Sequence, residues 1–84
     1  MEEKLIGKIT HYFTNIGVAV VEITKGGLKV NDKIHIKGST SDFEQTVDSM
    51  QVEHENIEKA KKGDAVGLKV EQQAREGDEV YLVE

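Results

Sequence analysis

The chain has 84 residues, 37% of them hydrophobic and 32% charged, with no cysteine, proline or tryptophan and a formal net charge of −5. That length holds one domain over residues 1–84 around a single core, and the lack of cysteine excludes disulfides, thiol nucleophiles and thiolate metal sites. Six lysines face four acids in residues 1–40, whereas five basic residues face twelve acids in 41–84, so no overall basic excess of the kind duplex-DNA binding requires is present.

Met1-Glu2-Glu3-Lys4 carries acids and no long apolar run, so no secretory leader and no membrane span is expected, and the cytoplasm is the expected compartment. Leu5 to His11 predicts a first strand, with Gly7 where another backbone can come close. His11-Tyr12-Phe13-Thr14-Asn15 breaks the pattern and predicts a loop. Ile16 to Thr24 is the most β-prone run, and its nearly continuous apolar character predicts a central strand buried on both faces. Lys25-Gly26-Gly27 is a turn, and Leu28-Lys29-Val30 leads into the first of three corners. Beyond it Ile34 and Ile36 alternate with Lys33, His35 and Lys37, which places the three basic residues on an outer face.

Residues 38–42 read as a loop. Phe43 to His54 predicts one long strand whose apolar parity changes: Phe43 and Val47 share one phase, Met50, Val52 and His54 the other. Such a switch needs an extra residue, which predicts a β-bulge near Asp48-Ser49. Glu55 to Lys62 is tolerant of helix but too short to stand alone, so a loop of about one turn is expected there, pinned by Ile57 and Ala60. Strands over 65–71 and 79–83 complete the chain.

The corners Asn31-Asp32, Gly63-Asp64 and Gly77-Asp78 share one design. The first residue can take φ > 0 at little steric cost, the Asp can bond nearby backbone, and an alternating apolar strand follows. Their spacing is uneven, so they are recurrent turn chemistry and not tandem repeats. The pattern predicts an all-β domain, a small barrel or sandwich.

These motifs also carry a resemblance. Gly26-Gly27-Leu28-Lys29-Val30-Asn31-Asp32, Ala60-Lys61-Lys62-Gly63-Asp64-Ala65-Val66-Gly67-Leu68 and Arg75-Glu76-Gly77-Asp78 stand in the order and spacing of the domain II barrel of translation elongation factors. The chain resembles that family over about residues 5–83, with Asn31 in place of the usual corner glycine. The resemblance implies a small closed antiparallel Greek-key barrel of six to seven strands. It brings no GTPase domain, since no Gly-x-x-x-x-Gly-Lys-Ser/Thr loop is present. The positions that correspond to the family's contacts with the aminoacyl end of tRNA are Val20, Gln51 and Ala65, two of them apolar, which removes hydrogen-bonding groups that end would need.

No catalytic constellation emerges. His11, His35 and His54 have no partner at a recognised metal spacing, and Ser39-Thr40-Ser41 lacks a partnered base. A non-enzyme without cofactor or metal is expected. Two surfaces could bind. One is the Lys33/His35/Lys37 face, with Tyr12 near it, because basic residues interleaved with aromatics can hold single-stranded nucleic acid. The other is the neighbourhood of Gln51. The expected partner is RNA, the ribosome or a translation-related protein. The alternative is a protein-interaction adaptor of a larger enzyme with no nucleic-acid role, which the acidic second half favours.

Overall fold

Three turns of one design set the path of the chain in the computed structural model, which describes residues 3–39, 42–52 and 55–83. They occupy residues 29–32, 61–64 and 75–78. In each, the N–H of the Asp donates to the carbonyl three residues earlier, at 3.1, 2.9 and 3.1 Å. Its carboxylate in turn accepts from that same residue's N–H, at 2.9, 3.0 and 2.9 Å. Only the third residue of each turn has positive φ, 81° at Asn31, 95° at Gly63 and 93° at Gly77, as a type II turn requires.

Each turn is also stitched to one residue of another segment by a reciprocal pair of backbone bonds. Asn31 donates to the Val47 carbonyl and Val47 to that of Asp32, Gly63 to Ile23 and Ile23 to Asp64, and Gly77 to Ile9 and Ile9 to Asp78, all at 2.7–2.9 Å. The three recipients are core side chains, each 1% exposed. The turns therefore anchor the interior as well as reversing the chain.

Between the turns run β1 (Glu3–Phe13), β2 (Val18–Ile23), β3 (Gly27–Lys29), β4 (Lys33–Lys37), β5 (Asp42–Thr46), β6 (Met50–Val52), β7 (Glu55–Ile57), β8 (Lys59–Lys61), β9 (Ala65–Lys69) and β10 (Glu79–Val83). Eight of them form one sheet in the order β5-β4-β10-β1-β2-β9-β6-β7, and β3 pairs with β8 in a second, two-stranded sheet. Every pairing is antiparallel. The fold is all-β. Alternate residues of each strand share a face, so Ala19, Val21 and Ile23, Ile34 and Ile36, Val66 and Leu68, with Met50 and Val80, converge on one apolar core. At Gly7 a Cβ would fall on the Glu22 carbonyl, so only glycine lets β1 and β2 approach there.

Several elements differ from the sequence reading. The segment expected as a loop at 11–15 continues β1 to Phe13, because a register shift between Ile9 and His11 keeps Tyr12 and Phe13 paired with Ala19 and Val18. β2 is buried on one face only, since Val18 and Val20 stand half-buried on the outside. The expected strand over 43–54 is two strands. The parity change falls where predicted, at Asp48-Ser49, yet the chain there leaves β4 and joins β9 instead of bulging within one ladder. Residues 55–61 form β7 and β8, not a helical turn, because β6 and β3 offer partners for their backbone and tertiary context overrides a weak propensity. His54, Thr40 and Ser41 lie outside the described residues.

The ladders do not close the sheet on itself: among the described residues β5 and β7 are its ends. A side chain spans the gap beside β5. Gln45, 7% exposed, donates from Nε2 to the Lys69 carbonyl at 2.9 Å and accepts at Oε1 from the Glu71 N–H at 2.8 Å. One amide thus does for this seam what a backbone pair does elsewhere.

Candidate functional site

The outer face of the sheet divides into two halves of different chemistry. On β4, Lys33, His35 and Lys37 alternate with the buried Ile34 and Ile36, so the basic residues do face outward. The register then decides what they meet. Lys37 stands opposite Asp42 on β5 and Glu79 on β10, Glu79 opposite Lys8 on β1, and Lys8 opposite Glu22 on β2. The row reads acid, base, acid, base, acid across five strands. Opposite charges facing across a sheet stabilise it, and they leave little net field for a polyanion. A groove lined by Lys8, Lys37, Glu76, Asp78, Glu79 and Tyr81 crosses this row and carries both signs.

The adjoining row is built around His35. Its Nδ1 lies 2.9 Å from each oxygen of Glu3, and its Nε2 lies 2.5 Å from Asp42 Oδ1. With a carboxylate at each ring nitrogen, both bonds form together only while both nitrogens carry a proton, as in an imidazolium. The bond to Asp42, then that to Glu3, holds its pKa above the ordinary histidine value, against a smaller opposing effect of burial. Lys33 Nζ pairs with Glu44 at 3.1 Å. The Tyr81 hydroxyl donates to Glu79 at 3.1 Å, and that bond keeps the phenol above its usual range. Glu3, His35 and Glu44 each offer a ligand atom within 4.8 Å of the others, and both ring nitrogens already face carboxylates.

The second half lies on β2, β9 and β6. Val20 and Gln51 both stand opposite Gly67, and Ala65 stands opposite Glu22, so the structure brings Val20, Gln51 and Ala65 onto one face. Gln51 Nε2 donates to Asn56 Oδ1 at 3.0 Å. Tyr12 is half-buried against the core on the β1–β2 hairpin. β10 pairs with β1 only as far as Lys8, so Tyr12 is not brought to the Lys33/His35/Lys37 face. The sequence reading missed the tip of this hairpin. Phe13 is 44% and Ile16 62% exposed, the His11 and Phe13 rings lie 4.4 Å apart, and the half-buried Val18 faces Phe13 across the strands. The missed signal was phase: with Ala19, Val21 and Ile23 inside, Val18 and Val20 must point out. Among the described residues no helix is long and apolar enough to cross a membrane.

No family model matches the chain. It is 42% identical over 79 residues to an uncharacterized protease of Methanocaldococcus jannaschii, a match that covers 93% of this chain and 19% of that protein. A collagenase of Porphyromonas gingivalis is 35% identical over 81 residues, covering 95% of this chain and 22% of the relative. The chain thus spans about a fifth of the length of the curated relatives it matches. Among solved structures, the C-terminal domain of a protein assigned as a U32 peptidase from Geobacillus thermoleovorans superposes with a TM-score of 0.88 at 17% identity, over 96% of this chain and 93% of that domain. The fold is that of this C-terminal domain. GDP-bound aIF5B from Aeropyrum pernix gives 0.65 at 15% identity, over 95% of this chain and 14% of that one. The likeness to translation factors is therefore one of fold, weaker than that to the peptidase domain.

Proposed function

We propose that the chain is a non-catalytic docking module of a U32-type peptidase, acting as an adaptor between the catalytic part of the enzyme and its surroundings. The observation that carries this reading is the 42% identity to a protease across 93% of this chain, with the other four-fifths of that protein unaccounted for. The hairpin-tip half of the outer face supplies the contact: Phe13 and Ile16 are exposed, Val18 and Val20 half-buried beside them, and Gly67 adds no side chain to block approach. Exposed apolar side chains grouped beside a flat strand face mark interaction surfaces. A non-catalytic role is supported by His35, whose two ring nitrogens are engaged by carboxylates and so are not available as a base.

The test uses the Methanocaldococcus jannaschii protease with its matching segment deleted. Gel filtration and calorimetry should show this chain binding the remainder, and binding should fall at least about tenfold for Phe13→Ser with Ile16→Ser, a loss of about 1.4 kcal/mol or more. Peptide hydrolysis by the isolated chain, or no association with the remainder, would sink the proposal. An RNA or ribosome partner is the competing reading and rests on the weaker likeness to aIF5B. Salt-sensitive retention on ribosomes, lost on nuclease treatment, would select it.

A further inference from the structure

We propose that His35 is a proton-operated clasp that ties the start of β1 to the edge hairpin β4–β5, closed while its ring carries two protons and open once it loses one. The geometry is specific. Glu3 belongs to β1 and Asp42 to β5, strands that share no ladder because β10 and β4 lie between them. One ring joins them, with Nδ1 on Glu3 and Nε2 on Asp42, and its side chain is only 14% exposed. A neutral imidazole has a single N–H. On deprotonation one nitrogen therefore presents a lone pair to a carboxylate, and an attractive contact becomes a repulsive one.

The carboxylates closest to the ring set the direction of the change. Glu3 faces it from β1, Asp42 and Glu44 from β5, and Tyr81 from β10 at a ring separation of 6.3 Å. Lys33, on the same strand as His35, is held by Glu44, and the Tyr81 hydroxyl is turned to Glu79. Loss of the ring's charge thus leaves three carboxylates, Glu3, Asp42 and Glu44, with Lys33 on Glu44 and Lys37 across the ladder from Asp42. The sign follows: the ring's affinity for its proton is raised in the folded chain, so the clasp contributes fully below the unfolded pKa and is lost as pH rises through the folded one. The opening is local. β5 is an end of the sheet, and its far end is kept in place by Gln45 and by the bonds of Val47 to the first turn. The Asp42 end has the clasp.

The inference holds whether or not the module meets a peptidase. It is tested by NMR on the intact chain between about pH 5 and pH 9, the span over which histidine switches. The His35 ring should titrate above 6.5, the ordinary value, and its midpoint should drop in Glu3→Gln and in Asp42→Asn. Backbone amide protection at 3–5 and 42–44, corrected for intrinsic exchange, should fall by up to about fivefold through the same midpoint, the range for exposed ion pairs. Protection at Val21 should not follow, and His35→Gln should flatten the profile at both ends. A wild-type ring titrating at or below the ordinary value, or protection at 42–44 that ignores its midpoint, overturns the clasp even if no variant folds.

Discussion

Replacing Gln45 tests whether one amide seals the sheet. Gln45→Leu keeps an apolar stem of similar volume and removes both bonds, leaving the Glu71 N–H and the Lys69 carbonyl without their partners. A hydrogen bond contributes about 1 kcal/mol net and its loss more where the orphaned group stays dry. Residues 69 and 71 are themselves exposed, so water replaces part of what is lost, and the expected cost is about 2 kcal/mol. A chain of 84 residues has a total stability of roughly 4–13 kcal/mol, so this is a large share, and it corresponds to about 8–16 °C in Tm. Urea unfolding followed by far-ultraviolet circular dichroism should show a lower midpoint at unchanged slope. Gln45→Glu separates the two bonds. Its carboxylate can accept from Glu71 but cannot donate to Lys69, so it should be as unstable as Gln45→Leu at neutral pH and recover in acid, when an O–H donor returns. A loss below about 0.5 kcal/mol in Gln45→Leu, the level of an ordinary surface change, would show that the seam needs no such bridge.

The remaining expectations are smaller and independent. Gly63→Ala and Gly77→Ala should each cost about 1–2 kcal/mol in thermal melts, since φ near 95° and 93° burdens a Cβ; Asn31→Gly should change stability by less than about 0.5 kcal/mol. Asp78→Ala should cost more than Asp32→Ala, about 2 against 1 kcal/mol in urea, because Asp78 is 5% exposed whereas Asp32 is half-buried. Lys37→Glu places an acid opposite both Asp42 and Glu79 and should lower the melting temperature in a way that added salt partly restores, by about 0.4–2 kcal/mol for two like-charge neighbours. Ultraviolet titration at the phenolate band should find Tyr81 above the ordinary tyrosine value, and Glu79→Gln should bring it down.

What was legible in the sequence was local. Asn31, Gly63 and Gly77 announced the turns because few residues tolerate positive φ, and the Ile34/Ile36 alternation gave β4 its inward face outright. The failures came where a long-range partner decided the outcome. Glu55 to Lys61 has the composition of a helix and became two strands because β6 and β3 stood ready to pair with it. The sequence showed the basic face of Lys33, His35 and Lys37 but not its pairing, in which Asp42 and Glu44 come from the next strand and Glu3 and Glu79 from the two ends of the chain. Gln45 shares the inward phase of Phe43 and Val47, so its burial was legible, but its bridge to residues 69 and 71 was not, because those partners lie more than twenty residues away in the chain.

The translation-factor resemblance can now be traced to its physical source. It rested on the corner motifs, and in the folded chain the groups those motifs share are used internally: each Asp carboxylate returns to its own turn, and each Asn or Gly N–H and Asp carbonyl is spent on Val47, Ile23 or Ile9. Groups so engaged determine how strands wrap a core. A domain in aIF5B and one in a peptidase can therefore share this frame at 15% and 17% identity without sharing a ligand. Partner choice must sit on positions that the frame leaves free, and the docking face proposed above, Phe13, Ile16, Val18 and Val20 beside Gly67, consists of such positions. Exchanging the corner residues between such domains should alter stability and leave binding intact, whereas exchanging the β1–β2 hairpin should carry the binding preference with it; a binding preference that followed the corners would reverse this assignment.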